Sequence, residues 1–240
     1  MKIEPSVIVI LQNCKVAVSR LELPAQLERK QYEKVSKLLK SMGGKWSSSQ
    51  KAFIFKADVE TTIADVIESG EYISEKVQFQ YFPTPDSLAK EIVALAGIRP
   101  GENCLEPSAG RGAIARHMPQ PDCVELNPAN AAYLEDHGFN VVGDDFLTFT
   151  PEKVYDVIVM NPPFCGGQDA KHIVKAIRMA RRKVVAIASA SAVSRTDKPY
   201  AELRRLVNEY GGSFTILPEG VFKEAGTMVK TCLIEVEKLK

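Results

Sequence analysis

The sequence carries almost no net charge, and this absence excludes several classes of protein. Its 240 residues include 31 lysines and arginines and 30 aspartates and glutamates, so the formal net charge at pH 7 is +1. Hydrophobic residues make up 45% of the chain and charged residues 25%, the composition of an ordinary globular protein. A disordered tail protein, a collagen-like chain and a strongly basic DNA-coating protein are therefore excluded.

Paired cysteines are also absent. The five cysteines include no CxxC pair and their number is odd, which argues against a disulfide framework or a zinc site. The histidines show no ligand spacing with cysteine, so we expect structural or surface roles for them and no metal centre. A cytoplasmic, reducing compartment is the natural expectation. The cysteines are Cys14, Cys104, Cys123, Cys165 and Cys232, and the histidines are His117, His137 and His172.

Long apolar segments are missing as well. The apolar run at residues 7–11 is too short for the core of a signal peptide. No uninterrupted apolar stretch approaches the roughly 20 residues that a membrane helix needs. We therefore expect a protein that has no membrane segment.

The small total charge conceals two oppositely charged blocks. Residues 29–56 carry eight lysines and arginines against one glutamate, a net charge of +7, and residues 57–75 carry six acidic residues and no basic one. Because Trp46 and Phe53 lie beside lysines, the basic block is the best candidate for contact with nucleic-acid phosphates. A solvated helix face with a core tryptophan explains the same pattern nearly as well.

Residues 1–75 have the pattern of a small α+β module. We predict strands at residues 7–11 and 15–21, and a helix over residues 24–42 that ends at a Gly-Gly pair. Two short segments, Lys45–Trp46 and the apolar residues 52–55, flank a polar turn and predict a hairpin.

Residues 76–240 alternate strands and helices. One helix is predicted to begin with Thr84 as its cap and Pro85 at its first position, and others at residues 127–137, 170–180 and 200–210. This alternation predicts a doubly wound, mostly parallel α/β sheet. The segment 218–227 is too short for a crossover helix, so the last two strands should form an antiparallel hairpin. The predicted strands are residues 103–106, 123–126, 141–142, 154–160, 184–188, 214–217 and 228–236.

A glycine-containing turn carries the first chemical signal. Gly110 and Gly112 follow a strand and precede a predicted helix, so a ligand can approach the backbone there. Glu125 ends the next strand, 19 residues after Glu106, where α/β nucleotide sites place an acid on ribose hydroxyls. The Glu106 carboxylate suits a positively charged ligand such as an ammonium or a sulfonium. For the glycines alone, a tight turn without a ligand is an equally good explanation.

Two more segments follow predicted strands. Asp145 and Phe146 have the chemistry to bond an adenine amino group and cover its face, although a capping acid and a core phenylalanine would look the same. The segment NPPF, residues 161–164, is the sharpest signal. Its prolines end a strand abruptly, and they bring an amide side chain, a carbonyl and an aromatic face to one edge of the sheet.

In the order of these segments the chain resembles the class I S-adenosylmethionine-dependent methyltransferases, specifically the adenine-N6 DNA methyltransferases. The resemblance covers about residues 78–238 and implies a Rossmann-like, seven-stranded, mostly parallel sheet with a final antiparallel strand. It implies S-adenosyl-L-methionine as the cofactor and DNA as the partner, with RNA as the alternative. The N-terminal module is similar to small modules on solitary methyltransferases of phages and mobile elements.

The resemblance also implies roles for particular residues. Asn161, Pro162 and Phe164 match the catalytic motif, and Phe222 lies in a segment whose aromatic helps Phe164 to hold the target base. The cofactor contacts implied are Phe82, Thr84, Glu106, Ala109, Gly110, Gly112, Glu125, Asp145 and Phe146.

The expected reaction is methylation of the N6 amine of adenine. The amine's lone pair is delocalised into the ring, so two acceptors, the Asn161 side-chain oxygen and the Pro162 carbonyl, should draw its hydrogens out of the plane. Phe164 should stack on a base that is flipped out or already single-stranded.

The chain ends soon after its last predicted strand, so we expect no separate C-terminal recognition domain and a short or relaxed sequence preference. Alternatives are methylation of RNA adenine, methylation of a protein glutamine amide, or a catalytically silent module that binds nucleic acid and cofactor. Glutamine methyltransferases share an NPP-aromatic motif but usually have Tyr where this chain has Phe164.

Overall fold

The computed structural model describes residues 2–24, 26–56, 58–72 and 82–238. The chain divides into two compact units, Met1–Gln78 and Phe79–Lys240. Within the described ranges, the first unit combines three helices with a four-stranded antiparallel sheet, and the second is built on a seven-stranded sheet.

The first unit has its helices and strands interleaved along the chain. Its sheet has the order β1-β2-β4-β3, and every pairing in it is antiparallel. Helix α1 packs against both α2 and α3, and buried side chains such as Leu11, Leu39 and Phe53 form the core. The elements are α1 (Pro5–Gln12), β1 (Lys15–Ala17), β2 (Arg20–Glu22), α2 (Arg29–Ser41), β3 (Lys45–Ser47), β4 (Ala52–Ile54) and α3 (Glu60–Ser69).

Two predictions for this unit were wrong. The apolar run at residues 7–11 belongs to helix α1, because Pro5 suits a first helical turn and the buried residues recur at helical spacing. The strand predicted over residues 15–21 is a hairpin, which turns at Val18 with a φ of +42°. Helix α2 was predicted correctly but begins at Arg29, five residues later than expected. The hairpin of β3 and β4 is confirmed.

The second unit alternates strands and helices as predicted. Strand order in its sheet is β10-β11-β9-β8-β5-β6-β7. The five strands from β9 to β7 are parallel to one another, and β11 is antiparallel to both β10 and β9. The elements are α4 (Asp86–Ala96), β5 (Cys104–Pro107), β6 (Asp122–Val124), α5 (Pro128–Asp136), β7 (Asn140–Gly143), β8 (Val157–Met160), α6 (Gln168–Met179), β9 (Lys183–Ser189), α7 (Lys198–Glu209), β10 (Ser213–Ile216) and β11 (Thr231–Glu237).

This topology confirms the predicted fold class, a Rossmann-like, seven-stranded, mostly parallel sheet with a terminal antiparallel hairpin. The central strands are buried on both faces because helices cover both sides of the sheet. Along β8, Ile158 and Met160 pack in the apolar cluster of α6 and α7, whereas Val157 and Val159 pack in that of α4.

The order of the strands determines where a ligand site lies. Strands β5 and β8 are neighbours, yet the chain continues from β5 to one side of the sheet and from β8 to the other. Such a switch point opens a crevice at the carboxyl ends of the strands, the usual ligand site of open α/β sheets. Among the described helices, none has the length and apolarity to cross a bilayer.

Candidate active site

The segment after β8 is held at both ends. Strand β8 is wholly buried, and it stops where Pro162 and Pro163 offer no N–H to a neighbouring strand. Beyond Phe164, two consecutive glycines adopt left-handed backbone angles, with φ of +64° at Gly166 and +72° at Gly167. These glycines turn the chain directly into α6, so the segment is a short, stiff connection between a core strand and a helix.

The amide of Asn161 is oriented by two acceptors from the segment before α4. Its Nδ2 donates to the Thr84 hydroxyl at 3.1 Å and to the Phe82 carbonyl at 3.4 Å. The Oδ1 atom is buried and has no hydrogen-bond partner among the residues that the structure describes. A buried, unpaired amide oxygen costs free energy, so this arrangement presents an acceptor that is ready for a donor from a ligand.

The geometry corrects the prediction for Thr84. Helix α4 begins at Asp86 with Pro85 in the cap position, and no side chain caps it. Thr84 is instead buried, and its hydroxyl is bonded to Asn161. The Phe82 carbonyl also accepts from the Asn161 amide, and the cofactor contact expected of Thr84 and Phe82 stays a prediction.

The two aromatic residues assigned to the target base occupy one apolar cluster. Phe164 is partly buried and packs against the cluster, which also contains Leu88 and Phe222. The Phe222 side chain is only 2% exposed, so its ring lies within the core. Of the two, Phe164 has more surface to offer a ligand.

The glycine-containing turn after β5 is built from left-handed residues. Ser108, Gly110 and Gly112 have φ of +63°, +58° and +71°. The Ala109 N–H donates to the Val124 carbonyl at 3.0 Å, which ties the turn to the end of β6. The α-helix predicted after this turn does not form. A short 3-10 turn, Ala115–His117, takes its place.

Two buried carboxylates hold this turn. Glu106 Oε2 accepts the Ala115 N–H at 2.6 Å, and Glu125 accepts the Gly110 and Asn127 N–H groups at 2.6 and 2.8 Å. Burial raises the pKa of Glu106 well above its ordinary value and also raises the pKa of Glu125. The Glu106 carboxylate, expected to face a cation, is thus engaged with the backbone of its own loop.

The segment after β7 contains Asp145 and Phe146, and both make contacts within the protein. Asp145 Oδ1 accepts the Leu147 N–H at 2.8 Å and so fixes the turn that follows. Phe146 is buried in the core, its ring 5.8 Å from that of His172. Burial also lowers the pKa of His172, which is a core residue rather than a surface one.

Sequence reasoning missed one anchor of the site. Asp169, in the first turn of α6, is fully buried and accepts the Tyr200 hydroxyl at 2.6 Å and the Ser189 N–H at 3.0 Å. These bonds join the starts of α6 and α7 to the end of β9. Helix α6 is the first α-helix after the NPPF segment, so the bonds anchor the chain close to it. No local pattern signals them, because the partners lie 20 and 31 residues away along the chain.

The structure therefore brings the predicted residues into two groups. Asn161, Thr84 and Phe82 are joined by hydrogen bonds near the end of β8, and the glycine turn and its carboxylates lie at the ends of β5 and β6. Both groups are at the carboxyl edge of the sheet beside its switch point. Within the described ranges, no cluster of three histidine, cysteine or acidic side chains is arranged to hold a metal.

Comparison with known proteins finds relatives in structure alone. No protein-family model and no curated protein matches the sequence. A Pyrococcus horikoshii protein proposed to be an RNA methyltransferase is 21% identical, with a TM-score of 0.51 over 69% of this chain and 90% of that one. A dimethyladenosine transferase from Plasmodium falciparum is 16% identical, with a TM-score of 0.51 over 66% and 63% of the two chains.

A third match is the methyltransferase subunit of a type I restriction-modification system from Streptococcus thermophilus. It is 17% identical, with a TM-score of 0.55 over 75% of this chain and 54% of that one. These likenesses establish the fold, which is the one that class I S-adenosylmethionine-dependent methyltransferases share.

Proposed function

We propose that the chain transfers a methyl group from S-adenosyl-L-methionine to the N6 amine of adenine in DNA. The observation that carries this proposal is the Asn161 amide, whose nitrogen is held by Thr84 and Phe82 while its oxygen is buried without a partner among the described residues. Structural neighbours include a dimethyladenosine transferase and a restriction-modification methyltransferase subunit, which is consistent with this choice of reaction.

The turn after β5 fits the proposed cofactor. Its left-handed residues bring backbone atoms to the carboxyl edge of the sheet, where a nucleoside can approach closely. The two Glu125 hydrogen bonds to backbone N–H groups leave further lone pairs on its oxygens for ribose hydroxyls. When bound, S-adenosylmethionine supplies a methyl group activated by a sulfonium. Ala109, Gly112, Asp145 and Phe146 complete the proposed cofactor contacts.

Asn161 is proposed to prepare the nucleophile. The exocyclic amine of adenine is neutral, so it needs acceptors more than a strong base. Its two N–H groups would donate to Asn161 Oδ1 and to the Pro162 carbonyl, which would draw the nitrogen towards a tetrahedral geometry. Because Thr84 and Phe82 fix the amide nitrogen, Oδ1 cannot rotate away, and this pre-organisation lowers the entropic cost of reaching the reactive geometry.

Phe164 is proposed to stack on the adenine. An amine inside a duplex is not accessible to the site, so the nucleotide must be flipped out or unpaired beforehand. Stacking on an aromatic ring contributes about 1–3 kcal/mol per base and offsets part of the cost of unstacking.

The proposal is tested by incubating the full chain with methyl-labelled S-adenosylmethionine and DNA, RNA or protein lacking the modification. Label in DNA, recovered as N6-methyladenine after digestion, is the expected result. Label that enters RNA or protein but not DNA would contradict the proposal and identify RNA or protein as the substrate. Cofactor binding without any transfer would favour a catalytically silent module.

A matched pair of variants isolates the role of Asn161. Asn161→Ala should abolish transfer and leave cofactor affinity unchanged, because the amide contacts the base rather than the cofactor. Asn208→Ala, the same change at an exposed position of α7, should retain wild-type transfer. Transfer by Asn161→Ala at the wild-type rate would remove Asn161 from the mechanism.

A further inference from the structure

The first unit contains a cleft that the proposed active site does not use. The cleft has a volume of about 380 Å³ and lies between the start of α2 and the β3–β4 hairpin. This volume is within the range of about 300–1,000 Å³ that is usual for small-molecule sites. Its lining includes Trp46, Tyr32, Arg29 and Lys51.

Trp46 is both held firmly and open to solvent. Its ring meets Tyr32 edge-on at a centroid distance of 6.3 Å and packs on buried Phe53 at 5.2 Å. The residue is nevertheless 40% exposed. An indole ring fixed from two sides and exposed at a cleft is a surface on which another flat ring can stack at little entropic cost.

The block of residues 29–56, which contributes Arg29 and Lys51 to the cleft, is strongly basic. In the block of residues 29–56, Arg29 pairs with Glu33 and Lys34 pairs with Glu4. The other six cations are exposed, and none of them forms an ion pair with a carboxylate among the described residues. These six are Lys30, Lys37, Lys40, Lys45, Lys51 and Lys56.

The geometry points to a second nucleic-acid site: the cleft binds single-stranded DNA, with one base stacked on Trp46 and a neighbouring phosphate on Lys51. An aromatic ring beside free cations is the combination that sequence-tolerant single-strand sites use. A duplex would not fit in the same way, because its paired bases do not offer a free ring face. The site lies in the first unit, so it does not depend on the proposed reaction.

Trp46 provides its own probe, since it is the single tryptophan of the chain. Titration of the full chain with an oligothymidylate of about 12 nucleotides, a length typical of such sites, should quench the tryptophan fluorescence. Equal quenching by a duplex of the same length, or binding of a labelled oligothymidylate without any change in Trp46 fluorescence, would overturn the proposal. Preference for oligouridylate over oligothymidylate would also overturn it.

Two charge reversals, one in the turn between β3 and β4 and one in β1, test the phosphate contact. Lys51→Glu should weaken binding and reduce the slope of log K against log salt by about 0.7, the value for one phosphate on a single strand. Lys15→Glu makes the same change in β1, at the opposite edge of the sheet, and should leave the slope unchanged. Equal losses of affinity in both variants would mean that the net charge of the protein attracts the DNA and that the cleft is not a binding site.

The stacking contact is tested by Trp46→Ala, followed by the anisotropy of a labelled oligothymidylate. The expected loss of affinity is about 5- to 150-fold, the fold-change that corresponds to one stacked base. Thermal unfolding of this variant checks that it is folded, and Lys51→Glu supplies an independent test at an exposed position. Unchanged affinity in a folded Trp46→Ala variant would contradict the proposal. Because these measurements need no methyl transfer, their outcome is separate from that of the proposed reaction.

Discussion

The Thr84 hydroxyl accepts a hydrogen bond from the Asn161 side-chain nitrogen at 3.1 Å, across 77 residues of sequence. With the Phe82 carbonyl at 3.4 Å, this bond decides which end of the amide faces the site. The oxygen is then the atom left without a described partner. The segment before α4 therefore determines the orientation of the Asn161 amide, the proposed catalytic group.

Replacing Thr84 tests this relationship. Thr84→Val removes the acceptor but keeps the shape, so Asn161 loses its fixed orientation. We expect the turnover rate to fall by about 5- to 150-fold, the equivalent of the roughly 1–3 kcal/mol that a lost buried hydrogen bond costs. Thr84→Ser retains the hydroxyl and should recover most of the rate. Equal activity of Thr84→Val and Thr84→Ser in a methyl-transfer assay would contradict this account.

Gly112 is expected to be required for both its backbone angle and its packing. A Cβ atom there would lie 3.1–3.2 Å from Phe139 and Leu134, and φ is +71°. Gly138→Ala is a matched control, because φ is +80° and nothing lies within 4 Å of the added atom. We expect Gly112→Ala to lower the free energy of unfolding by about 1–3 kcal/mol more than Gly138→Ala does, because of overpacking. If denaturant unfolding gives equal losses of unfolding free energy for the two variants, packing is unimportant at Gly112.

The buried Glu106 carboxyl should make stability depend on pH. Burial raises its folded-state pKa, so its stabilising contribution is present below the ordinary value of 4.5 and is lost as pH rises through the folded-state pKa. Glu106→Gln keeps an acceptor for the Ala115 N–H but does not ionise.

The melting temperature of Glu106→Gln minus that of wild type should therefore increase as the pH rises above 4.5, the ordinary pKa of the carboxyl. Each kcal/mol gained corresponds to about 2–4 °C in a chain of this size. A melting-temperature difference that stays constant over this pH range would contradict the prediction.

Tyr200 is expected to position the start of α6 through Asp169. Tyr200→Phe leaves Asp169 Oδ1 buried without the hydroxyl that it now accepts, which should cost about 1–3 kcal/mol of unfolding free energy. Tyr210→Phe makes the same change at an exposed ring and should change stability by less than about 0.5 kcal/mol. Chemical denaturation of both variants checks this, and equal stabilities would remove the role assigned to Tyr200.

Much of the second unit could be predicted because its signals are local. Buried parallel strands are continuous apolar runs, as in β8, and the short segment before β11 leaves room only for a hairpin. The NPPF segment could also be placed at the end of its strand, since prolines cannot continue a sheet. These features depend on a few neighbouring residues, which the sequence displays directly.

The errors arise where distant partners decide the structure. The run at residues 7–11 is apolar enough for a strand, but Pro5 and packing against α2 and α3 make it a helix. Thr84 looks like a helix cap, but its partner is Asn161. The bonds of Asp169 to Ser189 and Tyr200 leave no trace in any local pattern. Such contacts exist only once the sheet edge has been assembled.

The central claim is that the buried Asn161 oxygen receives the amine of a DNA adenine, and its most direct test is the modification itself. Genomic DNA from a methylation-deficient host expressing the chain should contain N6-methyladenine by mass spectrometry, and DNA from a host expressing Asn161→Ala at the same level should contain none. N6-methyladenine at equal levels with both proteins, or its absence from DNA of the host with the wild-type chain, would contradict the account.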